Sequence, residues 1–169
     1  MSNNTYLRKL DLEGNKALVQ AITLTNCPNL KELNLSNSAI TGVNLPSGAP
    51  INTLNLSNTD IGSLVLENLY SLANYDANKQ TGLNITECKK ISSLEIRNTP
   101  LISSLETSGL LDLRSLKINQ CHGLINLNLT SNRLNTLELT NCNNLTTLTL
   151  DGSTGNILQN LNLSTLYNL

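Results

Sequence analysis

The feature that most constrains the fold is a phrase, Leu-x-x-Leu-x-Leu, that returns every ten or eleven residues along nearly the whole chain. The stretch LINLNLTSNRLNTLELTNCNNLTTLTL, residues 124–150, holds three copies in succession. Alternation in Leu-x-Leu places both leucines on one face of a short strand. The apolar residues do not return at i+3, i+4 and i+7 together, as a helix would need. Each copy therefore predicts one bend followed by one strand of about three to five residues.

Strands of this length are not stable alone, so the copies have to pair with one another. Stacked copies would bury roughly 45 aliphatic side chains, each of which stabilises the fold by about 1.5–3 kcal/mol when fully buried. We therefore predict a solenoid in which each copy pairs with the equivalent copy one coil away.

Short polar residues or cysteines recur at the ninth position of the phrase, where the chain turns after the strand. Backbone groups in such a turn need hydrogen-bond partners, and a short polar side chain can provide them from inside the turn. A cysteine at this position is expected to act as a small buried hydrophobe with a weak S–H donor. The residues at the ninth position are Asn15, Cys27, Ser38, Thr59, Cys88, Thr99, Cys121, Asn132, Cys142 and Ser153.

The phrase resembles that of the leucine-rich repeats, whose usual form carries it once per 20–29 residues with a helix or 3₁₀ segment on the return. Here it occurs twice in about 21 residues, as in LNTLELTNCNNLTTLTLDGS. This doubling is similar to the bacterial 21-residue class called IRREKO, which is abundant in surface proteins of gut Bacteroidetes. The resemblance implies an all-β, right-handed solenoid with two short parallel strands per repeat and little or no α-helix. It also favours a cell-surface or secreted location.

Two strands per coil imply a flattened coil with a sheet on each side, and alternate copies are expected to build opposite sides. Counting from the first copy, the odd-numbered side is the more charged one. Exposed sheet faces of repeat proteins commonly bind other proteins, whereas the alternative is a solvated face that only keeps the rod soluble. The candidate binding residues on the odd-numbered side are Lys9, Asp11, Glu32, Asn34, Asn55, Asn74, Asp76, Glu95, Lys117 and Glu138.

The repeat is disturbed at residues 70–82 and again at residues 107–113. Within ENLYSLANYDANKQTG, residues 67–82, Tyr75 occupies the place of a core leucine and is predicted to be buried, with Tyr70 exposed beside it. A broken pattern can mark a functional site. Decay of the repeat is the interpretation that we favour for this stretch.

Composition argues against several functional classes. The net charge is −1 and the only aromatic residues are four tyrosines, which argues against nucleic-acid binding. No apolar run approaches the roughly 18 residues that a membrane span requires, and the first residues lack the apolar region of a signal peptide. The compartment therefore stays open.

Sites for chemistry are also not expected. His122, the only histidine, has no acid or second histidine at ligand spacing, and DGSTGN, residues 151–156, lacks the spaced acids of a calcium loop. Cys121 and Cys142 fall in consecutive coils and could come within disulfide range, but free thiols are favoured because the ninth position directs both into the turn. No metal, cofactor or enzymatic activity is predicted.

The sequence thus predicts one solenoid domain over residues 1–169. The first functional hypothesis is a protein-binding module with a partner of unknown identity, and the alternative is a structural spacer in a larger bacterial surface adhesin or phage-like appendage. Because neither end shows a capping unit, the chain is expected to be part of a longer protein or to meet a neighbour end to end. Ice binding is a further alternative, although Thr147 and Thr149 do not recur in register.

Overall fold

The structure is a computed structural model that describes residues 4–150 and 155–169. In these residues the chain forms short strands joined by turns, without a helix, and stacks into a β-solenoid of about seven turns. The strands are β1 (Lys9–Asp11), β2 (Ile22–Thr23), β3 (Glu32–Asn34), β4 (Val43–Asn44), β5 (Thr53–Asn55), β6 (Ser63–Glu67), β7 (Gly82–Asn84), β8 (Ser93–Arg97), β9 (Ser104–Glu106), β10 (Ser115–Asn119), β11 (Asn126–Asn128), β12 (Thr136–Thr140), β13 (Thr147–Thr149) and β14 (Asn160–Asn162).

Pairing between these strands is parallel and follows the repeat. Leu33 of β3 lies beside Leu54 of β5, a step of 21 residues, and Leu116 of β10 lies beside Leu137 of β12, also a step of 21. Each strand therefore pairs with its equivalent one coil away. The predicted all-β solenoid with two parallel strands per coil is confirmed.

The strands form two walls. The first wall contains the sheet β1-β3-β5-β7 and, after a break, the sheet β9-β11-β13. The second wall contains β2-β4 and the sheet β6-β8-β10-β12-β14. The N–H of Gly62, just before β6, donates to the C=O of Thr41, just before β4, at 3.4 Å, which places these two sheets of the second wall side by side.

The hydrophobic core fills the space between the walls. Leu33 and Leu54 from the first wall and Leu64 and Leu94 from the second are at most 1% exposed. These are the residues that alternation directs inward, while their neighbours in the strands remain at least partly exposed. Burial of a full-sized aliphatic side chain contributes about 1.5–3 kcal/mol, so the stacked leucines supply the main stabilising free energy.

Side chains at the ninth position provide hydrogen-bond partners for backbone groups at the turn, as predicted. The Ser38 Oγ donates to the Leu35 C=O at 2.6 Å, and the Thr59 Oγ1 donates to the Leu56 C=O at 2.8 Å. Both polar side chains are buried and point back to the end of the strand that they follow. The prediction for Ser153 lies outside the described residues.

The four cysteines are buried, as predicted for the ninth position, and all are free, as favoured from the sequence for Cys121 and Cys142. The Cys142 Sγ lies 3.5 Å from the Thr140 C=O and 3.8 Å from the Ile118 C=O, within the range of weak S–H hydrogen bonds. Burial raises the pKa of Cys121 to about 11 and also raises the pKa values of Cys88 and Cys142. The thiols of Cys88, Cys121 and Cys142 therefore stay protonated at neutral pH.

Asparagine has a second role that the sequence interpretation missed. At the eighth position of the phrase the backbone adopts positive φ, with values of 56° at Asn37, 54° at Asn58 and 50° at Asn98. Asparagine tolerates this left-handed conformation better than most residues. The Asn58 Nδ2 also donates to the Asn37 Oδ1 of the preceding coil at 3.0 Å, so the turns are linked by an amide ladder.

A third role for asparagine lies at the ends of the first-wall strands. The Asn34 Oδ1 accepts hydrogen bonds from the Ser36 N–H at 3.1 Å and the Ser36 Oγ at 2.8 Å. The Asn55–Ser57 and Asn84–Thr86 pairs repeat this turn. The recurring Asn-x-Ser/Thr sequence is thus a structural signal that ends a strand.

Strict alternation of the copies fails in the disturbed stretch. Leu54 of β5 pairs with Leu83 of β7, a step of 29 residues, and Leu64 of β6 pairs with Leu94 of β8, a step of 30. The inserted segment, residues 74–81, accounts for the difference, because Leu66 and Leu83 are 17 residues apart where Leu45 and Leu54 are 9 apart. Because of the inserted segment, each later copy lies on the wall opposite to the one that strict alternation predicts.

Two predictions are corrected by this exchange. Glu95, Lys117 and Glu138 lie on the second wall, so the prediction that they share a face with Lys9 is wrong. The prediction that Tyr75 is buried is also wrong, because the residue is 40% exposed and Leu83 takes the core position. Leu83 is followed two residues later by Ile85, whereas Tyr75 is followed by Ala77, so only the later pair supplies the aliphatic bulk that a strand needs here. Tyr70 is 51% exposed, which confirms its prediction.

Candidate functional site

A polar groove of about 700 Å³ lies on the outer face of the first wall. Its floor is formed by outward side chains of β1, β3 and β5, and the inserted segment flanks it. Of the predicted binding residues, the structure brings together Lys9, Asp11, Glu32, Asn34 and Asn55 on this floor. The flank consists of Tyr75, Lys79, Gln80 and Thr81.

A tight turn gives the inserted segment its shape. The Asp76 N–H donates to the Thr81 C=O at 2.9 Å, and the same two residues form an antiparallel bridge. The Asp76 Oδ1 accepts the N–H groups of Asn78 at 3.0 Å and Lys79 at 3.3 Å, and the Lys79 Nζ lies 3.1 Å from the Asp76 Oδ2. The hydrogen bond from Lys79 lowers the pKa of Asp76. Asp76, predicted as a binding residue, therefore orders the turn of the flank.

Charges on the floor of the groove are largely paired with neighbouring groups. The Lys9 Nζ lies 3.0 Å from the Glu32 Oε2, and this hydrogen bond raises the pKa of Lys9. The Glu13 carboxylate accepts hydrogen bonds from Asn34 at 3.1 Å and Asn37 at 3.2 Å. The groove therefore offers a patterned set of hydrogen-bonding groups and not a surface of one charge.

Two asparagines supply free donors to the groove. The Asn55 and Asn84 side-chain oxygens accept the N–H groups of Ser57 at 3.2 Å and Thr86 at 3.1 Å. Within the part of the chain that the structure describes, neither side-chain nitrogen donates a hydrogen bond. Because each amide nitrogen carries two donors, a bound partner with carbonyl or hydroxyl oxygens could pair with them.

The predicted residues of the second wall form a separate set. The Lys117 Nζ lies 3.0 Å from the Glu138 Oε1, which links β10 to β12. The Arg97 Nε lies 3.0 Å from the Glu95 Oε1, and its Nη1 lies 3.5 Å from the Glu67 Oε1 of β6. The Lys117–Glu138 and Arg97–Glu67 pairs connect adjacent strands, whereas the Arg97–Glu95 pair lies within β8. None of these residues lines the groove.

An apolar cleft of about 400 Å³ opens in the first wall between β7 and β9. At one end of the cleft, the Asn74 Oδ1 accepts the N–H groups of Ser103 at 2.7 Å and Ser104 at 3.2 Å. Asn74 thus belongs to the cleft and not to the groove. The apolar lining consists of Leu83, Ile85, Ile102, Leu105 and Leu110, and the polar residues around it include Asn84, Glu87, Glu106 and Ser108.

Sequence interpretation missed this cleft because alternation implied an unbroken ladder. The signal that could have found it is the disturbed stretch itself, which ends at Gly82. A Cβ at Gly82 would lie 2.2 Å from the backbone oxygen of Asn74, so only glycine allows the inserted segment to pass so close to β7. The disturbed stretch therefore contains a position that requires glycine, and its interpretation as repeat decay stays a prediction.

In the part of the chain that the structure describes, side chains that could bind a metal ion are not clustered. In residues 4–150 and 155–169, no cluster of three or more His, Cys, Asp or Glu side chains is arranged to hold a metal ion. His122 is exposed, and its backbone C=O accepts the Asn144 Nδ2 at 2.7 Å. No helix long and apolar enough to cross a bilayer occurs in the described ranges.

Comparisons with known proteins give no match. No family model, no curated protein and no solved structure matches the chain. The geometry of the groove and the cleft therefore carries the functional argument.

Proposed function

We propose that the chain is a leucine-rich-repeat solenoid of the bacterial 21-residue class, and that it acts as a non-enzymatic protein-binding module through the groove of the first wall. The doubled phrase and the two short parallel strands per coil support the class assignment. We extend the resemblance to location and propose a cell-surface or secreted protein.

The observation that carries the binding proposal is the position of the inserted segment beside the floor of the groove. In repeat proteins, insertions gather on one face, and that face is often the one that binds. Here the insertion flanks part of an open sheet and so forms one side of a groove. The lining of the groove includes the unpaired amide donors of Asn55 and Asn84, which can recognise a polar loop of a partner protein.

A pair of matched charge reversals tests the proposal. Glu32 and Glu138 each lie 3.0 Å from a lysine on an adjacent strand, but Glu32 is in the groove and Glu138 is on the second wall. We expect Glu32→Lys to abolish capture of surface proteins from a bacterial extract by the immobilised chain, and Glu138→Lys to leave capture intact. Equal capture by both variants, with folding verified by circular dichroism, would contradict the assignment of the groove.

A structural spacer is the second candidate. It is favoured by the ion pairs that join adjacent strands on both walls, because they engage several charged side chains of the sheet faces within the solenoid itself. Exchange of the coils that carry the groove for other coils of the same length distinguishes the two functions. A spacer would keep its function after the exchange, whereas a binding module would lose it.

A further inference from the structure

Two backbone hydrogen bonds recur at each coil of the first wall that precedes β7. The Leu35 N–H donates to the Asn55 C=O at 2.8 Å, and the Leu56 N–H donates to the Asn84 C=O at 2.8 Å. A second series starts two residues later, at the turn. There the Asn37 N–H donates to the Ser57 C=O at 3.0 Å, and the Asn58 N–H donates to the Thr86 C=O at 2.9 Å. Together these bonds continue the parallel hydrogen-bond ladder beyond the end of each strand.

Both series stop at the next coil. The equivalent donors are the N–H groups of Ile85 and Glu87, and the equivalent acceptors would be the C=O groups of Glu106 and Ser108. Neither bond forms, and within residues 4–150 and 155–169 neither N–H has another backbone partner. Unpaired backbone groups facing one another across an opening are a template for an added strand.

The opening has defined ends. At its beginning, Asn74 forms a parallel bridge with Leu83 and accepts the N–H of Ser103, so the inserted segment fills the first row of the ladder. At its far end, a Cβ on Gly109 would lie 3.5 Å from the Glu87 backbone nitrogen, so the two edges converge there. The unfilled rows are those of residues 84–86, which corresponds to about three residues of extended chain at roughly 3.3 Å each.

The opening has an apolar interior and an acidic rim, and these determine which kind of peptide fits it. Behind the two edges lie the apolar side chains of Leu83, Ile85 and Leu105. At the rim, the Glu106 carboxylate accepts the Ser108 N–H at 3.0 Å and the Asn128 Nδ2 at 2.8 Å, but in the described part of the chain it forms no ion pair. An aliphatic side chain with basic neighbours complements an apolar interior and an acidic rim.

We propose that the opening between β7 and β9 receives an extended peptide segment of a partner protein, about three residues long, with an aliphatic side chain flanked by lysine or arginine. A backbone C=O of the segment accepts a hydrogen bond from the Ile85 N–H, and a backbone N–H of the segment donates to the Glu106 C=O. These two bonds restore the parallel ladder of the first wall. Its aliphatic side chain packs between β7 and β9, and its basic residues approach Glu106. The inference rests on the proposed protein-binding function and names the kind of segment that is bound.

Amide NMR of the ¹⁵N-labelled chain tests the proposal with acetyl-Lys-Val-Lys-Val-Lys-amide as the probe. We expect the Ile85 and Glu106 amide signals to shift on titration, and hydrogen exchange at Ile85 to slow at least about tenfold. The control peptide acetyl-Lys-Gly-Lys-Gly-Lys-amide keeps the charge and removes the aliphatic side chains. It should leave these signals unchanged, and equal shifts with both peptides would overturn the proposal.

Two further controls keep the result decisive. Gly109→Ile narrows the opening and should abolish the shifts, whereas Gly62→Ile on the second wall, where a Cβ has 3.9 Å to the nearest atom, should not. If Gly109→Ile fails to fold, a probe with N-methylated valines serves in its place, because it loses the backbone donors and should bind the unmodified chain more weakly. Shifts confined to Thr53 and Asn55 would overturn this inference and leave the proposed groove function standing. Loss of capture by Glu32→Lys tests that function independently.

Discussion

Asparagine side chains stabilise several turns of this solenoid. Asn58 adopts a φ of 54° and donates to Asn37, while Asn55 closes the turn after β5. The abundance of asparagine was visible in the sequence, but its assignment to the ninth position alone was incomplete. The φ of a residue depends on how the chain turns between the walls, and the phrase does not specify that turn.

Substitution of Asn58 separates its two contributions to stability. We expect Asn58→Ala to lower the free energy of unfolding by about 1–2 kcal/mol, because alanine is strained at positive φ and the bond to Asn37 is lost. Asn58→Gly loses the same bond without the strain and should cost less. Urea unfolding monitored by circular dichroism measures both, and an alanine variant as stable as the glycine variant would contradict the role assigned to φ.

The buried thiols predict a dependence of stability on alkaline pH. Burial raises the folded-state pKa of Cys121 from 9.0 to about 11, so above the lower value the unfolded chain loses its thiol proton before the folded chain does. Stability from this group is therefore complete below about pH 8.5 and falls as the pH rises towards 11. We expect the loss of stability between pH 7 and pH 10 to be smaller in Cys121→Ala by about 1 kcal/mol. An unchanged difference would contradict burial of the thiol.

At the scale of elements, the inserted segment decides where every later strand lies. The phrase predicted strands, turns and parallel pairing from the spacing of leucines alone, since that spacing is set by local alternation. It could not predict on which wall β8 and β10 lie. The sequence is compatible with a further copy of the phrase at Tyr75 and equally with an insertion before Leu83, and the two alternatives place the later strands on opposite walls. Packing of Leu83 beside Leu54 decides between them.

Removal of the inserted segment should close the first wall. Deletion of residues 74–81 leaves Leu72 three residues before Leu83, the spacing found between Leu30 and Leu33. We expect the shortened chain to fold, β7 to pair directly with β9, and the Ile85 and Glu87 amides to become protected from hydrogen exchange. Rapid exchange of both amides in a folded deletion variant would contradict the view that the segment holds the wall open.

At the scale of the whole molecule, the exchange of walls sorts the predicted binding residues into two surfaces. Lys9, Glu32 and Asn55 lie in the groove, whereas Glu95 and Glu138 lie on the opposite wall. The sequence predicted which side chains face outward, because that follows from alternation within each strand. It did not predict the groove or the cleft, because both depend on the three-dimensional position of the inserted segment.

Engineered disulfides test the arrangement of the walls most directly. Residues aligned on adjacent strands lie about 4.8 Å apart, which is within disulfide range, and Val65 of β6 is aligned with Glu95 of β8. We predict that the double variant Val65→Cys, Glu95→Cys oxidises to an intramolecular disulfide in the folded chain, as measured by mass spectrometry under non-reducing conditions. The matched variant Asp76→Cys, Glu95→Cys joins residues that uninterrupted alternation would place side by side, and it should remain reduced. A disulfide in the second variant and none in the first would contradict the two-walled solenoid described here.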